Sequence, residues 1–219
     1  MNKLDFMESL TGAFKSKTEE FLSSTRNTSI RLGTLGAKGT TSSMAAEYMR
    51  SVLGDNNTSI DIVYYDTFQV VQQNLLDREV EYALVPNAYE RVTDFYWDNA
   101  LIPVLYFIYD TPMYSVYSLP GRYGAASEIV QNHSLKIAAC PAVYKLIDIL
   151  LPELDTGKIQ IVQVPSTDSA AKHVSNGLCD LAVTNELCAG KYGLSNVTEM
   201  YRVEMSWVVF KNLAKGKNI

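Results

Sequence analysis

From residue 29 onward the chain alternates short apolar runs with stretches of helical periodicity, and this alternation restricts its fold more than any other feature. Runs around Ile30 and Leu32, then at 60–65, 81–86 and 101–109, read as a first series of strands. Runs at 113–118, 135–139, 159–164 and 179–184 read as a second series, with closing strands at 197–203 and 205–210. Helical stretches separate them, through Phe68, Val71 and Leu75, over 142–151, and through Ala170, Ala171 and Val174. Such alternation implies an α/β fold with largely parallel sheets. Two successive series imply two lobes. The expected division is an N-terminal helical extension over 1–27, a first lobe over 28–108 and 197–219, and a second over 109–196. The chain then crosses between lobes near Tyr109 and near Asn196.

The first strand–turn–helix unit, RLGTLGAKGTTSSMAAEYM from Arg31 to Met49, carries the densest local signal. Gly33, Gly36 and Gly39 are expected to break the apolar run, and Thr40, Thr41, Ser42 and Ser43 fall where a helix begins. Hydroxyls there cap free N–H groups. The same N–H groups, with the helix dipole, make a seat for an anion. The order Lys38-Gly39-Thr40 is not the Gly-Lys-Ser/Thr of a phosphate loop, and the glycine spacing is not that of a dinucleotide fingerprint.

In open α/β sheets, ligands sit beyond the carboxyl ends of strands. Here those ends read Thr40-Thr41-Ser42, Tyr65-Asp66-Thr67, Asn87-Ala88-Tyr89, Ser166-Thr167 and Thr184-Asn185. A single polar end is what any helix cap supplies; polarity at every end points to a ligand cleft.

Composition narrows what that ligand can be. A net charge of -5 argues against general nucleic-acid or anionic-membrane binding, so an anion must be held by local features. Only two histidines and three cysteines are present, without metal-ligand spacing, and neither a metal nor an organic cofactor is expected. The odd cysteine count fits a reducing compartment. No apolar run reaches membrane-spanning length, the acidic N-terminal stretch does not read as a signal peptide, and a cytoplasmic location is expected. Residues 2–24 read as an amphipathic helix through Leu4, Met7, Leu10, Phe14, Phe21 and Leu22. Such a helix can dock on the body, join a homodimer or stand as an arm. Residues 212–219 read as a polar tail.

The segment LGTLGAKGTTSSMAA (32–46) resembles the first motif of prephenate dehydratase domains, and STDSAAKHVSNGLCDLAVTNELCAGKYGL (166–194) resembles their second lobe. The similarity runs over most of residues 30–210. It implies two lobes like a type II periplasmic binding protein, with the active site between them. YDTF (65–68), VPNAY (85–89), DTPMY (110–114), LAVTNEL (181–187) and EMSWVVF (204–210) resemble one branch more closely, the non-aromatising prephenate decarboxylases that begin anticapsin- and bacilysin-type routes. The resemblance implies prephenate as substrate and dihydro-4-hydroxyphenylpyruvate as product. An ordinary dehydratase and a non-catalytic cytosolic binding protein are the alternatives.

Departures from the family pattern bear on mechanism. The Thr-Arg-Phe of dehydratases aligns with Met205-Ser206-Trp207, and their Glu-Asn-Ser with Asn87-Ala88-Tyr89. Asn87 and Cys140 stand where the decarboxylase branch often carries histidine. The chain ends where a regulatory ACT domain would start, so no feedback site is expected. The resemblance implies that the hydroxyl-rich starts Thr40-Thr41-Ser42 and Ser166-Thr167, one in each lobe, hold the substrate's carboxylates. Gly39, Asp66, Thr67, Asn87, Cys140, Thr184, Asn185 and Ser206 complete the expected substrate-binding set. Tyr89 and Trp207 either shape a ring pocket or pack in the core. Asp66 and Glu186 either cap helices or relay a proton, and Lys38 is either solvated or screens a carboxylate.

Overall fold

The computed structural model describes residues 3–130, 134–155, 157 and 159–213, with only the backbone of 3–6. The Leu4 side chain and residues 214–219 of the expected tail lie outside the described residues. The chain forms two α/β units, one of Met1–Gly36, Ser42–Tyr109 and Met205–Ile219, the other of Ala37–Thr41 and Asp110–Glu204.

The first unit opens with α1 (Lys3–Thr25) and β1 (Ser29–Leu35), followed by α2 (Thr41–Gly54), β2 (Ser59–Tyr65) and α3 (Phe68–Leu76). Next come β3 (Tyr82–Pro86), α4 (Val92–Tyr96) and β4 (Leu101–Ile108). In the second unit β5 (Tyr114–Ser118), α5 (Ala126–Val130), β6 (Lys136–Ala139), α6 (Lys145–Leu150) and β7 (Gln160–Gln163) precede α7 (Thr167–Ser175). There β8 (Leu181–Asn185), α8 (Glu186–Lys191) and β9 (Ser195–Asn196) follow, and β10 (Ser206–Asn212) returns to the first unit.

The first sheet has the order β2-β1-β3-β10-β4. Strands β1, β2 and β3 are parallel, and β10 is antiparallel to both β3 and β4. The carboxyl ends of β1 to β4 and the start of β10 therefore share one edge. Strand alternation sorts the side chains onto two faces. Leu32, Leu84, Trp207 and Val209 pack with Ala45, Ala46, Met49 and Leu53 of α2 and Phe21 of α1. Ala83, Val85, Val208 and Phe210 pack with Phe68, Val71 and Leu75 of α3 and Phe95 of α4. Helix α1 thus docks on its own unit: Phe21 meets Tyr82 edge-on with centroids 5.4 Å apart, and Lys17 Nζ donates to the Pro103 carbonyl at 3.1 Å. Its Met7, Leu10 and Phe14 remain exposed.

The second sheet has the order β7-β6-β8-β5-β9. Strands β6, β7 and β8 are parallel, and β5 runs antiparallel to β8 with Tyr114 opposite Asn185. The ends of β6, β7 and β8 and the start of β5 therefore lie on one edge.

Three expectations differ from the structure. Gly33 does not break β1 but lies inside it, where a Cβ would come within 3.1 Å of Tyr65 and Val80 side-chain atoms; Gly36 and Gly39 make the turn, both with φ of 95°. Residues 197–204 stay with the second unit instead of forming a strand of the first. The reason is side-chain anchoring: Thr198 Oγ1 accepts from Val116 N at 3.1 Å and lies 3.0 Å from Ser115 Oγ, and Tyr201 bridges Tyr114. The chain accordingly leaves the second unit at Glu204 and not near Asn196. Helices α4 and α5 were not expected, being too short to show a helical period. Among the described residues, no helix is long and apolar enough to cross a membrane.

Candidate active site

The edge of the second sheet gathers candidate residues from well-separated parts of the sequence. Segment Ala37–Thr41 belongs to this unit, so Thr41 and Thr167 do not divide between the two lobes. Their neighbours are Tyr114, Cys140, Thr184, Asn185 and Cys188. Thr41 Oγ1 lies 2.5 Å from the Tyr114 hydroxyl. Thr184 Oγ1 donates to the Thr167 carbonyl at 2.8 Å, and Asn185 Nδ2 lies 3.5 Å from Thr167 Oγ1. Asn185 Oδ1 accepts from Cys188 N at 2.9 Å, capping α8, and the Cys188 thiol donates to the Gly39 carbonyl at 3.6 Å.

Several expected ligand contacts turn out to be committed to the fold. Thr40 Oγ1 donates to the Ala37 carbonyl at 2.9 Å and fixes the glycine turn. Ser166 Oγ caps α7 by accepting from Ser169 N at 3.2 Å and donates to Ser169 Oγ at 3.1 Å. Thr184 is fully buried and holds the Thr167 backbone. Ser42 is buried in the first turn of α2. In the contacts of Thr41 Oγ1 with the Tyr114 hydroxyl and of Thr167 Oγ1 with the Cys188 sulfur, either atom can be the donor.

The ionisable groups of this cluster are kept neutral. Burial pushes the Tyr114 phenol up to about 12, against hydrogen bonds from Thr41 and Asn185 that lower it. Burial likewise pushes the Cys140 thiol up to about 11, although it lies against the backbone N–H groups of Ala142 and Val143. The Cys188 thiol is raised for the same reason. A thiolate nucleophile is thereby disfavoured. Asp168 is engaged by Lys191 Nζ at 2.7 Å and the Tyr192 hydroxyl at 3.0 Å. Exposed Glu186 accepts from Met113 N at 3.3 Å, and Lys38 is exposed. Among the described residues, no group of three His, Cys, Asp or Glu side chains could hold a metal ion.

The first unit carries the remaining candidates on its own edge. Thr67 caps α3, accepting from Val70 N at 3.2 Å, beside exposed Asp66. Tyr89 packs on Phe68 with centroids 4.6 Å apart. Asn87 N donates to the Ser206 carbonyl, its Nδ2 donates to Ser206 Oγ at 3.2 Å, and its Oδ1 accepts from the Tyr96 hydroxyl at 3.1 Å. Trp207 packs in the core of the first unit: it is fully buried, and its indole N–H donates to the Tyr109 carbonyl at 3.1 Å. Sequence reasoning did not single out Tyr114, Cys188 or Tyr96. Tyr114 was present only inside the DTPMY motif, and its pairing with Asn185 is a matter of strand register.

No family model matches the chain. It is 36% identical over 180 residues to a prephenate decarboxylase of Planktothrix agardhii, covering 82% of this chain and 86% of that protein. It is 33% identical over 184 residues to a prephenate decarboxylase of Bacillus subtilis, covering 83% and 86%. Among solved structures, a periplasmic substrate-binding protein of an ABC transporter from Coxiella burnetii superposes with a TM-score of 0.57 at 16% identity, covering 84% of each chain. The last likeness concerns the fold alone, which is that of two-lobed type II periplasmic binding proteins.

Proposed function

Because the chain belongs to the prephenate decarboxylase family, we propose that it removes carbon dioxide from prephenate without aromatising the ring, leaving dihydro-4-hydroxyphenylpyruvate. The bond between the ring and its carboxyl carbon breaks. Its electron pair shifts through the adjacent ring double bond, and one proton enters at the ring carbon beside the carbinol. The 4-hydroxyl stays. The product is a conjugated, non-aromatic keto acid, whose keto group suits amination in a specialised amino-acid or antibiotic route.

The observation that carries this reading is the neutral, hydroxyl-lined edge of the second sheet. Thr41 and Thr167 stand at the starts of α2 and α7, and their hydroxyls, with the first-turn N–H groups of α7, favour a carboxylate. They serve best on the carboxylate of the pyruvyl arm, which survives the reaction. Strong donors on the ring carboxylate would stabilise the ground state and slow carbon dioxide loss. The resemblance supports retention of the 4-hydroxyl, because Met205 aligns with the dehydratase threonine and has no exchangeable proton. Met205 shares the face of Trp207 and Val209, while Ser206 lies in the opposite phase of the strand beside Asn87. A serine one position along therefore does not replace the missing acid.

The test is incubation of purified protein with prephenate in deuterated water, with products identified before and after acid treatment. Dihydro-4-hydroxyphenylpyruvate carrying one ring deuterium, with carbon dioxide released, is expected. Phenylpyruvate formed before acid treatment would replace this reading with dehydration. Binding without turnover would favour a cytosolic sensor.

A further inference from the structure

Thr167 is followed directly by an acid, Asp168, in the first turn of α7, where the proposed reaction needs attraction for a carboxylate. A negative charge at that position favours the helix. The same charge repels a second anion that approaches the first-turn N–H groups. The cap consumes two of these groups: Ser169 N donates to Ser166 Oγ at 3.2 Å, and Ala170 N donates to the Ser166 carbonyl at 3.0 Å. The N–H groups of Thr167 and of Asp168 itself are the donors that the cap does not use. An anion held there meets the Asp168 charge within one helical turn unless that charge is balanced.

The balance comes from α8. Lys191 Nζ donates to Asp168 Oδ1 at 2.7 Å, and the Tyr192 hydroxyl donates to Asp168 Oδ2 at 3.0 Å, so each carboxylate oxygen has its own donor. The ammonium also lies 4.9 Å from the centre of the Tyr192 ring, whose face attracts a cation. The Asp168 side chain is 18% exposed and that of Lys191 50%, so the acid is the partner drawn out of water. A pair this exposed adds little to stability. The other charged groups of the two helices do not supply the balance. Lys172 and His173 sit in the last turn of α7, and Glu186 at the start of α8 carries the same sign as Asp168.

We propose that Lys191 is a positioning residue for anion binding: by neutralising Asp168 it removes a charge that would repel a carboxylate from Thr167 and the start of α7. This deepens the proposed decarboxylation of prephenate and rests on that reading for the identity of the anion.

Four variants separate this role from a simple tie between α7 and α8, each checked for folding by a thermal melt. Lys191→Met leaves Asp168 unbalanced, and prephenate KM should rise roughly three- to tenfold with kcat little changed. Lys191→Arg keeps the charge and should keep KM near the wild-type value. Asp168→Asn removes the repulsion and should leave KM at or below the wild-type value. Adding Asp168→Asn to Lys191→Met should abolish the defect. A structural tie gives the opposite pattern, because Asp168→Asn weakens the same contact and the double variant recovers nothing. The Lys191→Met defect should also shrink in about 1 M salt, where the screening length falls to about 3 Å. Wild-type KM in a folded Lys191→Met protein, or a defect that survives Asp168→Asn, overturns the proposal.

A second arm does not depend on prephenate. Pyruvate alone, titrated into 15N-labelled protein, should shift the amide resonances of Thr167 and Asp168. Its apparent Kd should be several-fold weaker in Lys191→Met and recover in the double variant. Equal pyruvate affinity in wild type and Lys191→Met, or no response of these amides in wild type, overturns the proposal even where prephenate is turned over. A pyruvate response that follows the charge, without turnover of prephenate, sustains the role of Lys191 and removes the decarboxylase reading instead.

Discussion

Replacing Thr167 with valine isolates one ligand hydrogen bond at small cost to the fold. The side chain is 7% exposed, and valine has nearly its shape. The hydroxyl's internal contacts are weak, Asn185 Nδ2 at 3.5 Å and Cys188 Sγ at 3.9 Å. The bond from Thr184 goes to the Thr167 carbonyl and survives the change. Loss of stability should therefore stay near 1 kcal/mol, a fall in Tm of about 2–4 °C for a chain of this size. Binding should lose more, because a hydrogen bond to a charged group contributes about 1.5–3 kcal/mol. At about 1.4 kcal/mol per tenfold, prephenate affinity should weaken roughly 10- to 150-fold. Calorimetric titration of wild type and variant, with a thermal melt of each, reads both quantities. A folded variant with wild-type affinity would refute the assignment and leave Thr167 as a buried first-turn residue.

Trp207→Phe removes the indole donor from the Tyr109 carbonyl and should cost about 1–3 kcal/mol in a urea melt, while KM for prephenate stays unchanged. Stability should also fall in alkali. Folded-state values of about 11 for Cys140 and about 12 for Tyr114 exceed the ordinary 9 and 10, so the unfolded chain loses these protons first. Their contribution is intact below about pH 9 and lost between there and about pH 12. Tyr114→Phe should flatten that slope in melts taken across the range, and an unchanged slope would refute the attribution.

The fold was legible because it is written in local periodicity. Alternating strands and helices gave two series, and β10 shows why: Trp207 and Val209 face one layer of helices, Val208 and Phe210 the other. Strand membership near Val197 was not legible, since it depends on where the Thr198 hydroxyl finds partners in β5. At the candidate site, residue type pointed to hydroxyls at helix starts. It did not distinguish Thr40, whose hydroxyl closes a turn, from Thr41 one residue later. Nor did it reveal Tyr114, because the pairing of Tyr114 with Asn185 joins segments separated by most of the second unit. Trp207 looked equally suited to a pocket and a core, and the Tyr109 carbonyl places it in the core.

In the proposed reaction, the same physical feature favours carbon dioxide loss and opposes loss of the 4-hydroxyl. Hydroxide leaves readily only with a proton donor, and a donor is effective when its pKa lies near the working pH. Burial holds Tyr114 near 12 and Cys140 near 11, several units too high for that task. Decarboxylation asks for the reverse environment. The ring carboxylate loses its charge as carbon dioxide departs, so a cation beside it would hold the ground state back, each 1.36 kcal/mol of added stabilisation slowing the step tenfold. The nearby Lys191 ammonium is turned to Asp168 and is not presented to the cluster as a free charge. In the proposed reaction, a site built from neutral hydroxyls, amide and thiols would anchor the pyruvyl arm, leave the ring carboxylate weakly stabilised and withhold the acid that aromatisation requires.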